Sequence, residues 1–172
     1  MSDDVPTKKK VNGKNKGNGF ERKIAQTLSA RFATLTGKEM SFRRNADSGS
    51  FFGGGNFVRT QQYDTEYATF GDLICPRNFL YSVECKHYKT PPTFQSLLLS
   101  DVKLWDKWIA QAEQDSNQAS KKMMLVIKYN NVSEFVLVNH CEPTLMSPFA
   151  YKGKFAYTLS DYLTLDDSVF FS

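Results

Sequence analysis

The segment from Leu80 to Tyr88 constrains the fold more than any other part of the sequence. It starts with a mostly apolar run and continues directly into Glu84-Cys85-Lys86. Apolar runs with aromatic and β-branched residues are typical of strands, and a strand points alternate side chains to opposite faces. We therefore expect a strand on which Glu84 and Lys86 share one face and Cys85 points into the core.

A second acidic residue, Asp72, precedes the short apolar run Leu73-Ile74-Cys75. A turn at residues 76–78 would let this run and the Glu84 strand form a hairpin, which would bring Asp72 close to Glu84 and Lys86. Two carboxylates with open coordination positions suit Mg²⁺, which usually keeps several waters. Taken alone, however, Glu-x-Lys on a strand is more typical of a solvated cross-strand charge pair.

Four segments, taken in chain order, add to this pattern. They are Gly17–Arg22, Phe42–Ser50, Gly71–Ile74 and Val83–Lys86. Together they resemble the PD-(D/E)xK nuclease superfamily and, within it, the archaeal and phage Holliday-junction resolvases. The resemblance covers roughly residues 17 to 130. It implies an α/β fold with a restriction-endonuclease-like mixed central sheet flanked by helices.

The resemblance also implies roles for individual residues. Asp72 and Glu84 would bind the metal, with Glu21 as a further ligand or a neighbour of the ligands. Lys86 would organise the attacking water, and Ser48 matches the loop serine near the scissile phosphate. The implied cofactor is Mg²⁺, with Mn²⁺ as a substitute. For Glu21 and Ser48 there are simpler interpretations, a first-turn helix acid and a polar turn residue.

Two departures from the family pattern stand out. Gly71 occupies the position that gives the family its proline, although the following aspartate is kept. The segment from Phe51 to Phe70 is rich in Gly and aromatic residues. Phe51 and Phe52 in it could stack against bases or could anchor the loop in the core. These differences leave the substrate open more than the chemistry.

The first predicted helix spans Gly19 to Thr36, with apolar residues near helical spacing and Gly37 as a stop. A strand is predicted from Met40 to Asn45. Because Arg43 and Arg44 in it alternate between faces, we expect one of them to reach the active site and hold a phosphate.

Further elements follow the Glu84 strand. Ser100 is predicted to cap a helix that runs to Gln118 and carries Gln111, a candidate nucleic-acid contact that could equally be a solvent-exposed residue. Met123 to Tyr129 and Glu134 to Val138 predict a second hairpin. The final Val169-Phe170-Phe171 is expected to pack on the core or on a second subunit.

The positive charge is concentrated at the start of the chain. The whole sequence has a net charge of +4, and residues 1–23 hold seven Lys or Arg against three acids, which equals that excess. We interpret residues 1–16 as a flexible basic arm and residues 17–172 as a single nuclease domain. The arm could bind phosphates or simply solubilise the protein. Its candidate contacts are Lys8, Lys9, Lys10, Lys14 and Lys16.

Cysteine usage favours a reducing compartment. Cys75, Cys85 and Cys141 are odd in number and form no Cys-x-x-Cys pair. Their spacing from His87 and His140 matches no familiar zinc site. With no recognisable signal peptide and no apolar stretch near 20 residues, we expect a cytoplasmic protein, in the host cytoplasm if viral, that does not contact a membrane.

These observations favour a metal-dependent endonuclease that hydrolyses DNA phosphodiesters, with branched DNA such as the Holliday junction as the expected substrate. Resolving a junction requires two symmetric cuts, so a homodimer is expected with that substrate. A nicking, restriction-like or DNA-end nuclease would have the same site. A noncatalytic nucleic-acid-binding module on a nuclease-like fold is the alternative of another class, and intact Asp72, Glu84 and Lys86 argue against it.

Overall fold

The computed structural model describes residues 13–45, 67–146 and 149–172. The helices are α1 (Gly13–Arg31), α2 (Ala33–Thr36), α3 (Phe94–Leu98), α4 (Lys103–Gln118) and α5 (Leu159–Tyr162), followed by a 3-10 turn at Asp167–Val169. The strands are β1 (Arg43–Arg44), β2 (Tyr67–Phe70), β3 (Leu73–Pro76), β4 (Tyr81–Tyr88), β5 (Lys122–Tyr129), β6 (Phe135–Val138), β7 (Phe149–Tyr151) and β8 (Lys154–Thr158). Among the described helices, none has the length and apolar character needed to cross a bilayer.

A mixed five-stranded sheet forms the centre of the fold, in the order β4-β5-β6-β8-β7. β4 and β5 are parallel, and every other neighbouring pair is antiparallel. The parallel pair is joined by a crossover through α3 and α4, because parallel neighbours cannot be linked by a tight turn. The α/β class and the mixed central sheet flanked by helices are confirmed.

β5 is buried on both sides, which explains its continuous apolar sequence. Met124 and Val126 pack in the cluster that contains the apolar face of α1. Leu125 and Ile127 pack in the second cluster, with the apolar face of α4. The two helices therefore cover opposite faces of the sheet, and the predicted hairpin between β5 and β6 is present.

β4 shows the alternation that its sequence predicts. Val83 and Cys85 belong to the cluster on the α1 side. Glu84 and Lys86 face α4, where both contact Gln111. Since β4 is an edge strand of the five-stranded sheet, its outer edge is open to the segment that contains Asp72.

The hairpin predicted between the Asp72 segment and β4 is wrong. β3 lies at the centre of a separate antiparallel sheet in the order β1-β3-β2, so both of its edges are already occupied. It approaches β4 through an isolated parallel bridge between Gly71 and Val83. Asp72 nevertheless comes to lie beside β4, because it follows Gly71 directly.

The first helix begins at Gly13, six residues earlier than predicted, so the last four residues of the predicted arm are helical. It is also interrupted near Phe32 before α2. The predicted stop at Gly37 is present, since Gly37 adopts the left-handed conformation (φ 64°) that ends many helices.

Ser100 does not cap α4. Its φ is 50°, and its N–H donates to the Leu97 carbonyl at the end of α3. Val102 occupies the N-cap position instead, without a side-chain hydrogen bond. Ser100 therefore belongs to the turn that closes α3, a short helix that the sequence patterns did not predict.

The C-terminal residues pack on the core of their own chain. Phe170 and Phe171 each contact the ring of Phe32, with ring centroids 5.0 Å apart in both pairs. Arg31 fastens the preceding segment by donating to the carbonyls of Leu163 and Leu165. Of the two alternatives for this end, the structure has the core packing.

Candidate active site

Glu84 and Lys86 form the centre of a polar cluster on β4. The Glu84 side chain is buried, and the Lys86 ammonium donates to its Oε1 atom over 2.5 Å. Gln111 on α4 links the two: its Nε2 donates to Glu84 Oε1 (2.9 Å), and its Oε1 accepts from Lys86 Nζ (3.1 Å). Gln111 thus lies at the predicted centre rather than on a remote surface.

Asp72 lies at the outer edge of β4. Its backbone N–H donates to the Val83 carbonyl (2.8 Å), and its Oδ2 accepts from the Cys85 N–H (2.8 Å). These two bonds join Asp72 to Val83 and Cys85, the residues on either side of Glu84 along the strand. Cys85 therefore has two roles, a core side chain and a backbone donor that orients Asp72.

Gly71 makes this arrangement possible. Its φ of 67° is in the region that favours glycine, and a Cβ atom there would overlap the Val83 carbonyl oxygen. Proline cannot adopt this φ, since its ring fixes the angle near −65°. The departure from the family's proline is thus required by the close approach of this backbone to β4.

The carboxylates of Asp72 and Glu84 influence each other. Burial, and then the charge of Asp72, raise the pKa of Glu84 to about 8, against the opposing effect of Lys86. Burial alone would lower the pKa of Lys86, but the charge and hydrogen bond of Glu84 raise it. Keeping both carboxylates ionised therefore costs free energy, because only one ammonium group offsets their two negative charges.

This donor set fits a divalent cation. Asp72 and Glu84 are 6% and 3% exposed, and both offer the oxygen ligands that Mg²⁺ prefers. Positive charge between them would relieve the repulsion that raises the pKa of Glu84. Within the described residues, no three His, Cys, Asp or Glu side chains gather as a ligand group. Water and substrate phosphate would therefore complete the coordination.

Glu21 lies on α1, on the side of the site where strand β1 is found. Its Oε2 accepts from Arg44 Nε over 2.5 Å, and Arg44 Nη2 donates to Asn18 Oδ1 (3.0 Å). Glu21 is close enough for its charge to contribute to the raised pKa of Cys85, although burial is the larger cause. Arg43 is exposed, and Arg44 is the arginine that pairs with Glu21 beside the site.

Two residues near the site were missed by sequence reasoning. Asn45 is 4% exposed, and it donates from its backbone to the Asp72 carbonyl (2.8 Å) and from Nδ2 to the Gly71 carbonyl (3.2 Å). Asp115 lies one helical turn after Gln111, and its charge acts to raise the pKa of Glu84. The spacing of four from Gln111 was the available signal for Asp115.

The remaining predicted residues lie elsewhere. Lys16 is in the first half of α1 and donates to Asn130 Oδ1 (2.6 Å) at the end of β5. Lys14 is within α1, but its side chain is outside the described part of the structure. Predictions for Lys8, Lys9, Lys10, Ser48, Phe51 and Phe52 also fall outside the described residues.

Comparison with protein families identifies a nuclease of this superfamily. A family model described as "Phage putative PDDEXK endonuclease" matches residues 12–169, nearly the whole chain. No curated protein matches the sequence. Among solved structures, the fold is similar to Hjc, a Holliday junction resolvase from the archaeal hyperthermophile Archaeoglobus fulgidus. That match has 14% identity and a TM-score of 0.38, and covers 90% of this chain and 92% of the other.

Proposed function

Because the chain belongs to the phage PDDEXK endonuclease family, we propose that it cleaves DNA phosphodiesters by metal-dependent hydrolysis at the Asp72, Glu84 and Lys86 site. The observation that carries the proposal is the convergence of two buried carboxylates and one lysine at the edge of β4. Asp72 and Glu84 would hold the cation, with Mg²⁺ as the expected ion and Mn²⁺ as a substitute. The bound ion would polarise the phosphodiester and lower the pKa of a coordinated water.

The protein's own residues would do the remaining work. Lys86, released from Glu84 when that carboxylate binds the cation, would orient the water and contact the scissile phosphate. Gln111 would keep both side chains in place through its two hydrogen bonds. Arg44 would offer its guanidinium to a neighbouring phosphate, with Glu21 holding it in position.

Metal binding can be tested apart from cleavage. Mg²⁺ should raise the melting temperature of the wild-type protein at pH 8, because a ligand that binds only the folded state stabilises it. The same addition should leave Glu84→Gln unchanged. An equal shift in both proteins would mean that the ion binds elsewhere, and the metal role of Glu84 would be rejected.

Cleavage requires a panel of labelled substrates: a four-way junction, a flap, linear duplex, single-stranded DNA and RNA, each with Mg²⁺, Mn²⁺ or EDTA. The wild type should cut DNA only with metal, and Lys86→Ala should not. Lys122→Ala is the matched control, since Lys122 is on the neighbouring strand β5 but at its opposite end. If no substrate is cut with any metal, the noncatalytic binding module becomes the better description.

The substrate is a finer part of the proposal. The ordered motifs from Gly17 to Lys86 support a four-way junction, and two symmetric cuts would require a homodimer. We therefore expect preferential, paired cleavage of the junction and a dimeric mass in solution by light scattering. Preference for linear duplex would favour a restriction-like or DNA-end nuclease, and single cuts by a monomer would favour a nicking enzyme.

A further inference from the structure

A group of basic side chains lies where α1 crosses the end of β5 and the turn that precedes β6. Lys16 Nζ donates to Asn130 Oδ1 over 2.6 Å. Glu134 Oε1 accepts from two ammonium groups, those of Lys23 (2.5 Å) and Lys128 (2.6 Å). We call these three lysines, with Asn130 and Glu134, the basic ridge.

The basic ridge keeps a net positive charge. Partial burial acts to raise the pKa of Glu134, but hydrogen bonds from Lys128 and Lys23 outweigh it and hold the pKa at about 2. Its three ammonium groups thus outnumber its one carboxylate. The Lys23 side chain is 55% exposed while Glu134 is 18% exposed, so an ammonium group faces solvent above the carboxylate. An ammonium has three donors, and one carboxylate contact leaves donors for another anion.

The ridge lies beside the end of β4 that follows Lys86. His87 follows Lys86 on β4 and is paired in register with Lys128 on β5. The His87 ring also packs on Phe20, the residue before Glu21, with centroids 5.4 Å apart. Because side chains alternate along a strand, His87 and Lys128 lie on the α1 face of the sheet, opposite to the face that carries Glu84 and Lys86.

The ridge is also continuous with the basic start of the chain. Lys16 lies in the first turn of α1, which contains no acidic residue. Lys8, Lys9 and Lys10 precede Gly13, the first residue of this helix, by three to five positions. In the sequence, these lysines therefore come shortly before Lys16, the first residue of the ridge.

We propose that the basic ridge binds the phosphate backbone of the DNA substrate on the α1 side of the central sheet. The inference rests on the proposed function, because that function supplies DNA as the ligand. It assigns substrate contacts to Lys23 and Lys128, which lie in different elements and are joined through Glu134. A purely structural clamp between α1 and the sheet is the competing explanation.

The test measures binding in EDTA, so that it does not depend on cleavage. Fluorescence anisotropy with a labelled duplex of about 30 base pairs, from about 50 to 200 mM KCl, compares a ridge variant with a control variant. The ridge variant is Lys16→Gln, Lys23→Gln and Lys128→Gln. The control variant is Lys38→Gln, Lys103→Gln and Lys122→Gln, which removes the same charge from exposed positions outside the ridge.

The slope of log affinity against log salt concentration should be smaller for the ridge variant than for the control, by about 0.9 for each phosphate that the protein no longer neutralises. Glu134→Gln should do the opposite, with tighter binding and a steeper slope, because it frees two ammonium groups. Equal slopes in the ridge and control variants would overturn the proposal. So would a Glu134→Gln protein that remains folded and binds with the wild-type slope.

The result is separable from the proposed function. If the wild type cuts nothing but the slopes differ as expected, the phosphate-binding ridge stands and the nuclease proposal fails. If the wild type cuts DNA and the slopes are equal, only the ridge is rejected. Melting temperatures of all variants check that each protein remains folded.

Discussion

Glu84 and Glu134 are both in close contact with lysine, yet their pKa values move in opposite directions. Glu84 is paired with Lys86 but lies deep in the protein beside Asp72, and its pKa rises to about 8. Glu134 is shallower, has two lysines and no described carboxylate among the causes of its shift, and its pKa falls to about 2. The surroundings, more than the ion pair itself, decide which form of the carboxyl group is favoured.

The difference separates two uses of the same residue type. At Glu134 two lysine ammonium groups already outnumber the one carboxylate, so the carboxylate holds together a positively charged surface. At Glu84 one ammonium offsets two carboxylates, so the site would gain from another cation. Strongly perturbed groups of the second kind are typical of functional sites.

The largest expected effect is on cleavage. Glu84→Gln removes a charged metal ligand while keeping the size of the side chain, and we expect the cleavage rate to fall by roughly 10³-fold or more. Glu134→Gln is the matched control and should cut at a rate within about tenfold of the wild type at low salt. Single-turnover rates on the preferred substrate make the measurement. Similar losses in both variants would show that the different surroundings of Glu84 and Glu134 do not give the two residues different roles in cleavage.

The next effect is on the pH dependence of stability without metal. The raised pKa means that, between about pH 4.5 and 8, the folded protein holds a proton at Glu84 that the unfolded chain has released. The free energy of unfolding therefore falls as pH rises through this window. Glu84→Gln should remove this pH dependence. At pH 8 its free energy of unfolding should exceed that of the wild type by a few kcal/mol, since each pKa unit corresponds to about 1.4 kcal/mol.

Urea unfolding from pH 5 to 8.5 in EDTA checks this expectation, with Glu134→Gln as the opposite case. The lowered pKa of Glu134 gives a contribution that is present above about pH 4.5 and is lost as pH falls toward 2. The stability difference between Glu134→Gln and the wild type should therefore be flat across the measured range. A wild type and Glu84→Gln with parallel pH profiles would contradict the raised pKa.

The sequence predicted the parts of this comparison that depend on local periodicity. Alternation along β4 was enough to place Glu84 and Lys86 on one face and Cys85 in the core. The partners of Glu134 could not be found in this way, because Lys23 is 111 residues away and meets it only through the packing of α1 on the sheet. The hairpin error has the same origin, since the pairing of β3 with β1 depends on distant residues.

The third prediction tests what brings Asp72 close to Glu84. Gly71→Ala places a Cβ atom against the Val83 carbonyl and strains a left-handed backbone, so we expect a loss of about 2 kcal/mol of stability and weaker cleavage. Gly153→Ala is the control, because Gly153 also has a positive φ (75°) but has open space around its Cβ position. Urea unfolding of both variants separates backbone strain from the loss of packing against β4. Equal destabilisation would mean that the close approach to Val83 carries no cost.

The smallest effect concerns Gln111, which the sequence suggested as a nucleic-acid contact and which the structure has hydrogen-bonded to Glu84 and Lys86. If it positions these two groups, Gln111→Ala should lower kcat by about tenfold and leave KM for DNA unchanged, because the lost interaction acts on the reacting groups. Gln114→Ala, on the exposed side of the same helix, should change neither constant.

A second substitution at the same position separates positioning from DNA contact. Gln111→Glu keeps an acceptor for Lys86 but replaces the donor to Glu84 with a like charge. In a positioning role, this change alters the Mg²⁺ concentration needed for half-maximal cleavage, since a third carboxylate then faces the cation. In a DNA-contact role, it repels the phosphate backbone, so KM for DNA rises and the Mg²⁺ requirement stays the same. A Mg²⁺ titration at saturating DNA therefore decides whether Gln111 belongs with Glu84 or with the DNA-binding residues.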